Sequence, residues 1–299
     1  MNPTTTPFTV LVGVDGSTGS VEAARVAAER AAALGAHLTV LRVFDWPSAG
    51  VAGLPTDVDG RAVARGSAQV KLDWLVAQLG EWLPADRVDG ELVDGEPVQV
   101  LREASAAAVL LVVGAHGQAW NSGATLGSVA AGLARRSHCP VLVHRHREAL
   151  SGAPTGVVAG IDGGPGSAAV LAVAAHEARL RKTGLHVLHT WPQLTEDAGT
   201  PVRWLLDAGA TTTAEQAVVS ELVHALELSD PGLDVDVTVL AGRAGPALVQ
   251  AGHTAELLVV GRPEVPADQE TRATTRQVSH RAACPVLLVP LPVPAVVPV

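Results

Sequence analysis

At 299 residues the chain has room for two domains of about 150 residues each, and its formal net charge is −9. Its 21 basic residues include only two lysines, Lys71 and Lys182, and form no run that follows a phosphate backbone, so nucleic acid is not an expected partner. The longest apolar run, Ala106 to Val113, is far shorter than the roughly 20 residues of a membrane-spanning helix. Residues 1–7 hold no charged region followed by an apolar stretch, and the expectation is a cytoplasmic protein with no membrane partner.

In chain order, short β-branched runs alternate with Ala-rich stretches of helical period. The first half predicts strands over 9–14, 38–44, 88–93, 109–113 and 141–144, with helices over 20–34, 62–80, 97–107 and 128–137 between them. Residues 147–156 contain Ser, Gly, Pro and Thr without apolar periodicity and read as a linker between a first domain over 1–146 and a second over 157–299. The second half predicts strands near 157–161, 185–190, 233–240, 256–260 and 286–289. Strands apolar on nearly every residue belong in a parallel sheet covered on both faces, which makes the class α/β, open and doubly wound. The tail from Leu291 carries Pro292, Pro294 and Pro298, which suit an edge and not a central strand.

The halves are copies. Asp162 lies 147 residues beyond Asp15, and Leu111-Val112-Val113-Gly114 recurs at the same spacing as Leu258-Val259-Val260-Gly261. Cys139-Pro140-Val141 and Cys284-Pro285-Val286 are 145 apart, so the second copy has lost two residues after Gly261. A period this long gives each copy its own core, unlike a solenoid repeat. The two cysteines occupy equivalent places and read as structural thiols.

The intact copy shows what the loop offers. Gly114-Ala115-His116-Gly117 follows the fourth strand, and after nine intervening residues Gly127-Ser128 opens a helix. Gly114 and Gly117 permit positive φ and close backbone approach, turning amides toward an anion. Ser128 is placed to cap the helix or to donate to a phosphate oxygen, and the helix mouth adds partial positive charge. Across the crevice, Gly13-Val14-Asp15 ends the first strand, where ligands bind in open parallel sheets. Plainer roles stand beside these: Asp15 as a helix cap with Ser17 and Ser20, His116 as a solvent-facing loop residue, the glycines as turn formers, and Trp46 and Trp191 as core or interface.

Asp15, the loop from Gly114 to Ser128 and the Cys-Pro-Val-Leu-Val strand together resemble the universal stress protein family in its tandem actinobacterial form, across essentially the whole chain. The resemblance implies two five-stranded sheets of order 3-2-1-4-5, the adenine nucleotide alpha hydrolase-like fold, with ATP in the crevice, with or without Mg. By position it puts Asp15 and Val43 at the adenine and ribose end and lines the pocket with Gly13 and Val14. Gly114, His116, Gly117, Gly127 and Ser128 would hold the phosphates, flanked by Val113 and Val129. It also implies pairing through the last strand, hence an intrachain pseudo-dimer and a possible homodimer, and a role in the stress response through a protein partner that the sequence does not identify.

In the second copy Gly160, Asp162 and Gly261 survive as the remnant of a weaker site. Glu264 replaces the second loop glycine, and the Gly-Ser pair becomes Arg272-Ala273 or Thr274-Thr275, depending on where the deletion is placed. A carboxylate about 4 Å from a phosphate costs up to about 4 kcal/mol at an effective dielectric of about 20. Arg262, Arg272 and Arg276 can offset the charge but not the lost glycine geometry. Neither lysine follows a glycine loop, His116-Gly117 is followed by Gln118 and not by a second histidine, and no G-x-S-x-G elbow or zinc spacing occurs. The leading reading is an ATP-binding regulator with at most slow hydrolysis. The alternatives are a nucleotide-hydrolysing or nucleotidyl-transferring enzyme of the same fold and a nucleotide-independent partner-binding scaffold.

Overall fold

The computed structural model describes residues 8–46, 59–117, 126–146, 155–191, 201–263 and 269–292. The chain divides into two compact units at Arg145 and His146. In the first, β1 (Thr9–Val14) lies between β2 (His37–Phe44) and β4 (Leu110–Gly114), with β3 (Val88–Asp94) outside β2 and β5 (Val141–His144) outside β4. All four pairings are parallel, and the order is 3-2-1-4-5. The crossovers are α1 (Thr18–Leu34), α2 (Gly60–Leu79), α3 (Pro97–Ala104) and α4 (Ser128–Arg136). Contacts pair α1 with α2 and α3 with α4, as expected when helices wind over both faces of a sheet.

The central strands are buried on both faces. Val10, Val12, Leu38, Val40, Leu111 and Val112 have essentially no solvent exposure, which the near-continuous apolar runs require. α1 meets this sheet through Ala23, Ala24, Ala27, Ala28 and Ala31, whose spacing forms one helical face and whose small side chains let the helix sit close. It stops at Gly35, left-handed at φ 64°, whose N–H reaches back to the Ala31 and Ala32 carbonyls.

The second unit repeats the plan with β6 (Val157–Ile161), α5 (Ser167–Arg181), β7 (Leu185–Trp191), α6 (Pro201–Ser229), β8 (Val235–Ala241), α7 (Ala244–Ala251), β9 (Leu257–Pro263), α8 (Gln269–Arg281) and β10 (Val286–Leu291). Its order, β8-β7-β6-β9-β10, is the first unit's order with every pairing parallel. α5 ends on Lys182, the counterpart of Gly35, held in the same left-handed region at φ 56°.

Two strands outrun the sequence expectation together. β9 continues to Pro263 and not 260, and β10 to Leu291 and not 289, so Arg262 pairs with Pro290 and Pro263 with Leu291. The corresponding pair in the first unit ends at Gly114 and His144. Without the second loop glycine, the chain after Gly261 keeps to its strand. Most of the predicted linker and the proline tail beyond Pro292 lie outside the described residues.

Candidate functional site

A cavity of about 420 Å³ opens in the first unit where β1 and β4 end. β1 supplies Gly13, Val14 and, just past its end, Asp15; β2 supplies Leu41 and Val43. The far wall is Val113 and Gly114 of β4, then His116 and Gly117 of the loop, then Gly127, Ser128 and Val129 at the mouth of α4. All eleven residues expected for the first site therefore line one cavity.

Sequence reading missed Ser20, Leu41, Pro97, Leu101, Leu126 and Ala130, which complete the lining. Two of these were within reach. Leu41 sits two residues before Val43 on the same strand face, and Leu101 lies 147 residues before Leu248, at the spacing of the repeat. A Cβ on Gly13 would lie 2.9 Å from Leu101 Cδ1, so the bare strand is what lets α3 close the floor of the cavity.

The loop glycines are required for room, not for φ. Neither Gly114 nor Gly117 adopts the positive φ anticipated from sequence. A Cβ on Gly114 would sit 3.0 Å from the Gly19 backbone at the start of α1, and one on Gly117 would sit 2.5 Å from Asp15 Oδ2. The loop therefore crosses directly over the β1–α1 turn and faces the carboxylate. Gly127 donates its N–H to the Ala115 carbonyl at 2.8 Å, which ties the loop to the α4 mouth.

Ser128 departs from its expected capping role. The N-cap of α4 is Gly127, at φ −68° and ψ 155°, and no side chain caps the helix. Its first amides thus keep their full capacity for an anion, which a capping side chain would have reduced.

Asp15 does take part in a cap, and also faces the cavity. Its Oδ1 accepts from Ser17 N at 2.9 Å and from Ser17 Oγ at 2.6 Å. Ser20 Oγ accepts from Gly16 N at 3.1 Å and donates to the Ser17 carbonyl at 2.9 Å, closing the turn. Among the described lining residues, Asp15 and His116 are the titratable side chains, and none is Lys or Arg. Elsewhere in this unit, Trp46 stacks on Phe44 with ring centroids 6.0 Å apart, and Cys139 is a buried thiol.

The second unit keeps the first half of this arrangement. Gly160 again admits a leucine, Leu248, whose Cδ2 would lie 2.7 Å from an added Cβ. Asp162 Oδ1 accepts from Gly164 N at 2.9 Å and Ser167 Oγ at 3.0 Å. The other half is rebuilt. Leu291 packs against Gly261 and Gly166, filling the place over the helix start where the His116 carbonyl lies beside Gly19 in the first unit. Arg262 is buried at 5% exposure on the strand face shared with Val260, opposite to Gly261. α8 ends at Arg281 as α4 ends at Arg136, a spacing of 145 residues, which assigns Arg272-Ala273 to the Gly127-Ser128 positions. Those positions are inside α8, which begins at Gln269, so no helix mouth opens there. Glu264 lies outside the described residues. Trp191 is nine-tenths buried and Cys284 is a buried thiol.

Among the described residues no group of three or more His, Cys, Asp or Glu side chains is arranged to hold a metal, and no helix is long and apolar enough to cross a membrane.

Comparison with known proteins gives one consistent family. The model described as "Universal stress protein family" matches residues 8–145 and again 155–290. A universal stress protein of Mycobacterium bovis is 32% identical over 267 residues, covering 84% of this chain and 86% of the relative. A universal stress protein of Mycobacterium tuberculosis aligns at 27% identity over the full length of both chains. Among solved structures, a universal stress protein from Archaeoglobus fulgidus superposes with a TM-score of 0.62 at 19% identity, covering 94% of this chain and 95% of that one, a likeness of fold.

Proposed function

The chain belongs to the universal stress protein family, and from that premise we propose that it is a stress-response regulator whose first domain binds ATP. The observation that carries this reading is the meeting of Asp15, the Gly114–Gly117 loop and the uncapped mouth of α4 around one cavity of about 420 Å³. The apolar end, formed by Leu41, Val43, Pro97 and Leu101, suits a purine face, and the amide-rich end suits phosphate oxygens. No lysine or arginine among the lining residues is placed to stabilise charge on a transferring phosphoryl group. The nucleotide is therefore a ligand whose presence reports a state, with turnover well below about 1 s⁻¹. Magnesium would accompany it by neutralising the phosphates.

The second domain, in this reading, retains the fold and has given up the phosphate cradle, leaving Gly160, Asp162 and Gly261 without a partner loop. The test is to denature purified protein, identify the released nucleotide and count it per chain, then to titrate emptied protein with ATP and magnesium by calorimetry. One adenine nucleotide per chain supports the proposal. No released nucleotide together with no heat of binding removes it.

A further inference from the structure

We propose that Ser17, which lies outside the cavity lining, is the positioning residue that couples the two loops of the first crevice. The inference rests on the reading that this crevice holds an adenine nucleotide. Ser17 Oγ donates to Asp15 Oδ1 at 2.6 Å and stands 3.5 Å from the His116 carbonyl, 99 residues away in the chain. Its backbone N–H holds the same carboxylate oxygen at 2.9 Å, and its Oγ also receives Ser20 N at 3.3 Å as the cap of α1.

A hydroxyl has one proton, and the 2.6 Å contact claims it while the 3.5 Å contact is at the limit of a hydrogen bond. Two arrangements follow. With the crevice empty, the proton holds Asp15 Oδ1 and fixes the carboxylate so that Oδ2 faces Gly117. When a ligand engages Asp15 and draws the glycine loop inward, the same proton turns to the His116 carbonyl and pins the loop. Ser17 therefore passes the state of one wall to the other without touching the ligand.

The second unit supplies an internal control. Gly164 stands in the place of Ser17, and the carboxylate of Asp162 is held instead by the Gly164 amide and by Ser167 Oγ. The aspartate remains anchored, but no hydroxyl at this position links it to the strand that replaces the loop. Anchor and coupling are separable, and only the coupling is missing.

Three full-length variants test this with ATP and magnesium by calorimetry. Ser17→Gly copies the second domain and keeps a tolerated helix cap; its affinity should fall about tenfold, the size of one lost hydrogen bond in a water-excluded site. Ser17→Thr retains the hydroxyl and should restore affinity to within about twofold; because threonine caps α1 as well, the coupling role is separated from capping by Ser17→Gly, which keeps a tolerated cap and loses the hydroxyl. Ser20→Ala should disturb the turn in both bound and empty protein alike. Hydrogen exchange should be faster in Ser17→Gly than in the parent at residues 15–17 of empty protein, where the hydroxyl holds Asp15, and at residues 115–117 once nucleotide is bound. Parent-like affinity and parent-like exchange in Ser17→Gly would overturn the proposal. If the parent itself binds no nucleotide, the functional reading fails and the exchange experiment alone decides on Ser17.

Discussion

After Gly114 the chain turns over the β1–α1 loop and leaves the mouth of α4 open; after Gly261 it stays in its strand, and the last strand lengthens to match. The same sheet supports both outcomes. A glycine pair at the strand end and the helix start, Gly114 with Gly19, permits close approach in the first unit, whereas Leu291 packs on the equivalent Gly261 and Gly166 in the second. Backbone amides that a loop could offer to a ligand belong instead to a region of extended strand pairing, as Arg262 with Pro290 and Pro263 with Leu291. In the proposed reading a binding site can be given up without a visible cost in fold, because the residues that changed lie beyond the carboxyl ends of the strands and not among the buried alanines and valines.

Substitution at Gly117 should have the largest effect. Gly117→Glu puts a Cβ where Asp15 Oδ2 stands and adds a carboxylate facing another; nucleotide affinity should drop more than about 100-fold by calorimetry, a difference of about 2.7 kcal/mol. Parent-like binding would mean that the contrast between the two loops is irrelevant to function. Next is stoichiometry. Released nucleotide should number one per chain, and two per chain would show that the strand extension after Gly261 does not close the second crevice.

Leu291→Ala should then lower the stability of the second unit by about 1–2 kcal/mol, less than a fully buried leucine because Leu291 is only part-buried. Nucleotide affinity should not change. Since two units need not unfold as one, the measurement is the separate melting transition of each by calorimetry. An altered affinity would connect the second unit's rebuilt end to the first site. The smallest expected effect is at the helix ends. Lys182→Gly relieves a left-handed non-glycine residue and should raise the second transition by about 0.5–1 kcal/mol, while Gly35→Ala should lower the first by about 1 kcal/mol.

The sheet order was legible because the repeat and the family resemblance constrain it together, and the strand runs were apolar enough to locate within a residue or two, except at the end of β9, which runs three residues further. The first site was legible for a different reason: Gly114, Gly117 and Gly127 are spaced by the needs of a loop that must pass over Asp15, so the pattern records a steric requirement. The sequence offered two uses at each of two places, and one of each falls away: Gly114 and Gly117 serve close approach and not positive φ, and capping of α4 falls to Gly127 and not to Ser128. The apolar wall was partly missed because Pro97, Leu101 and Ala130 come from helices that only the tertiary fold brings to β1. The fate of the second loop could be inferred as a loss but not as a strand. Proline at 263 and 290 argued against regular pairing, and their places at the very end of the ladder are what make it tolerable.

The absence of lysine and arginine from the cavity lining also governs how a ligand arrives. No lysine or arginine among the described lining residues draws an anion to this opening from a distance, the helix mouth acting only at short range, and the chain as a whole carries nine net negative charges that repel it. Encounter is thus slowed at long range and rewarded only on contact, the reverse of electrostatic steering. Added salt should shorten the reach of that repulsion and speed nucleotide capture, with the greatest gain between low ionic strength and the physiological range, where the screening length falls to about 8 Å. A nucleotide site of the proposed kind would sample its ligand by concentration and fit, and fill according to the supply around it.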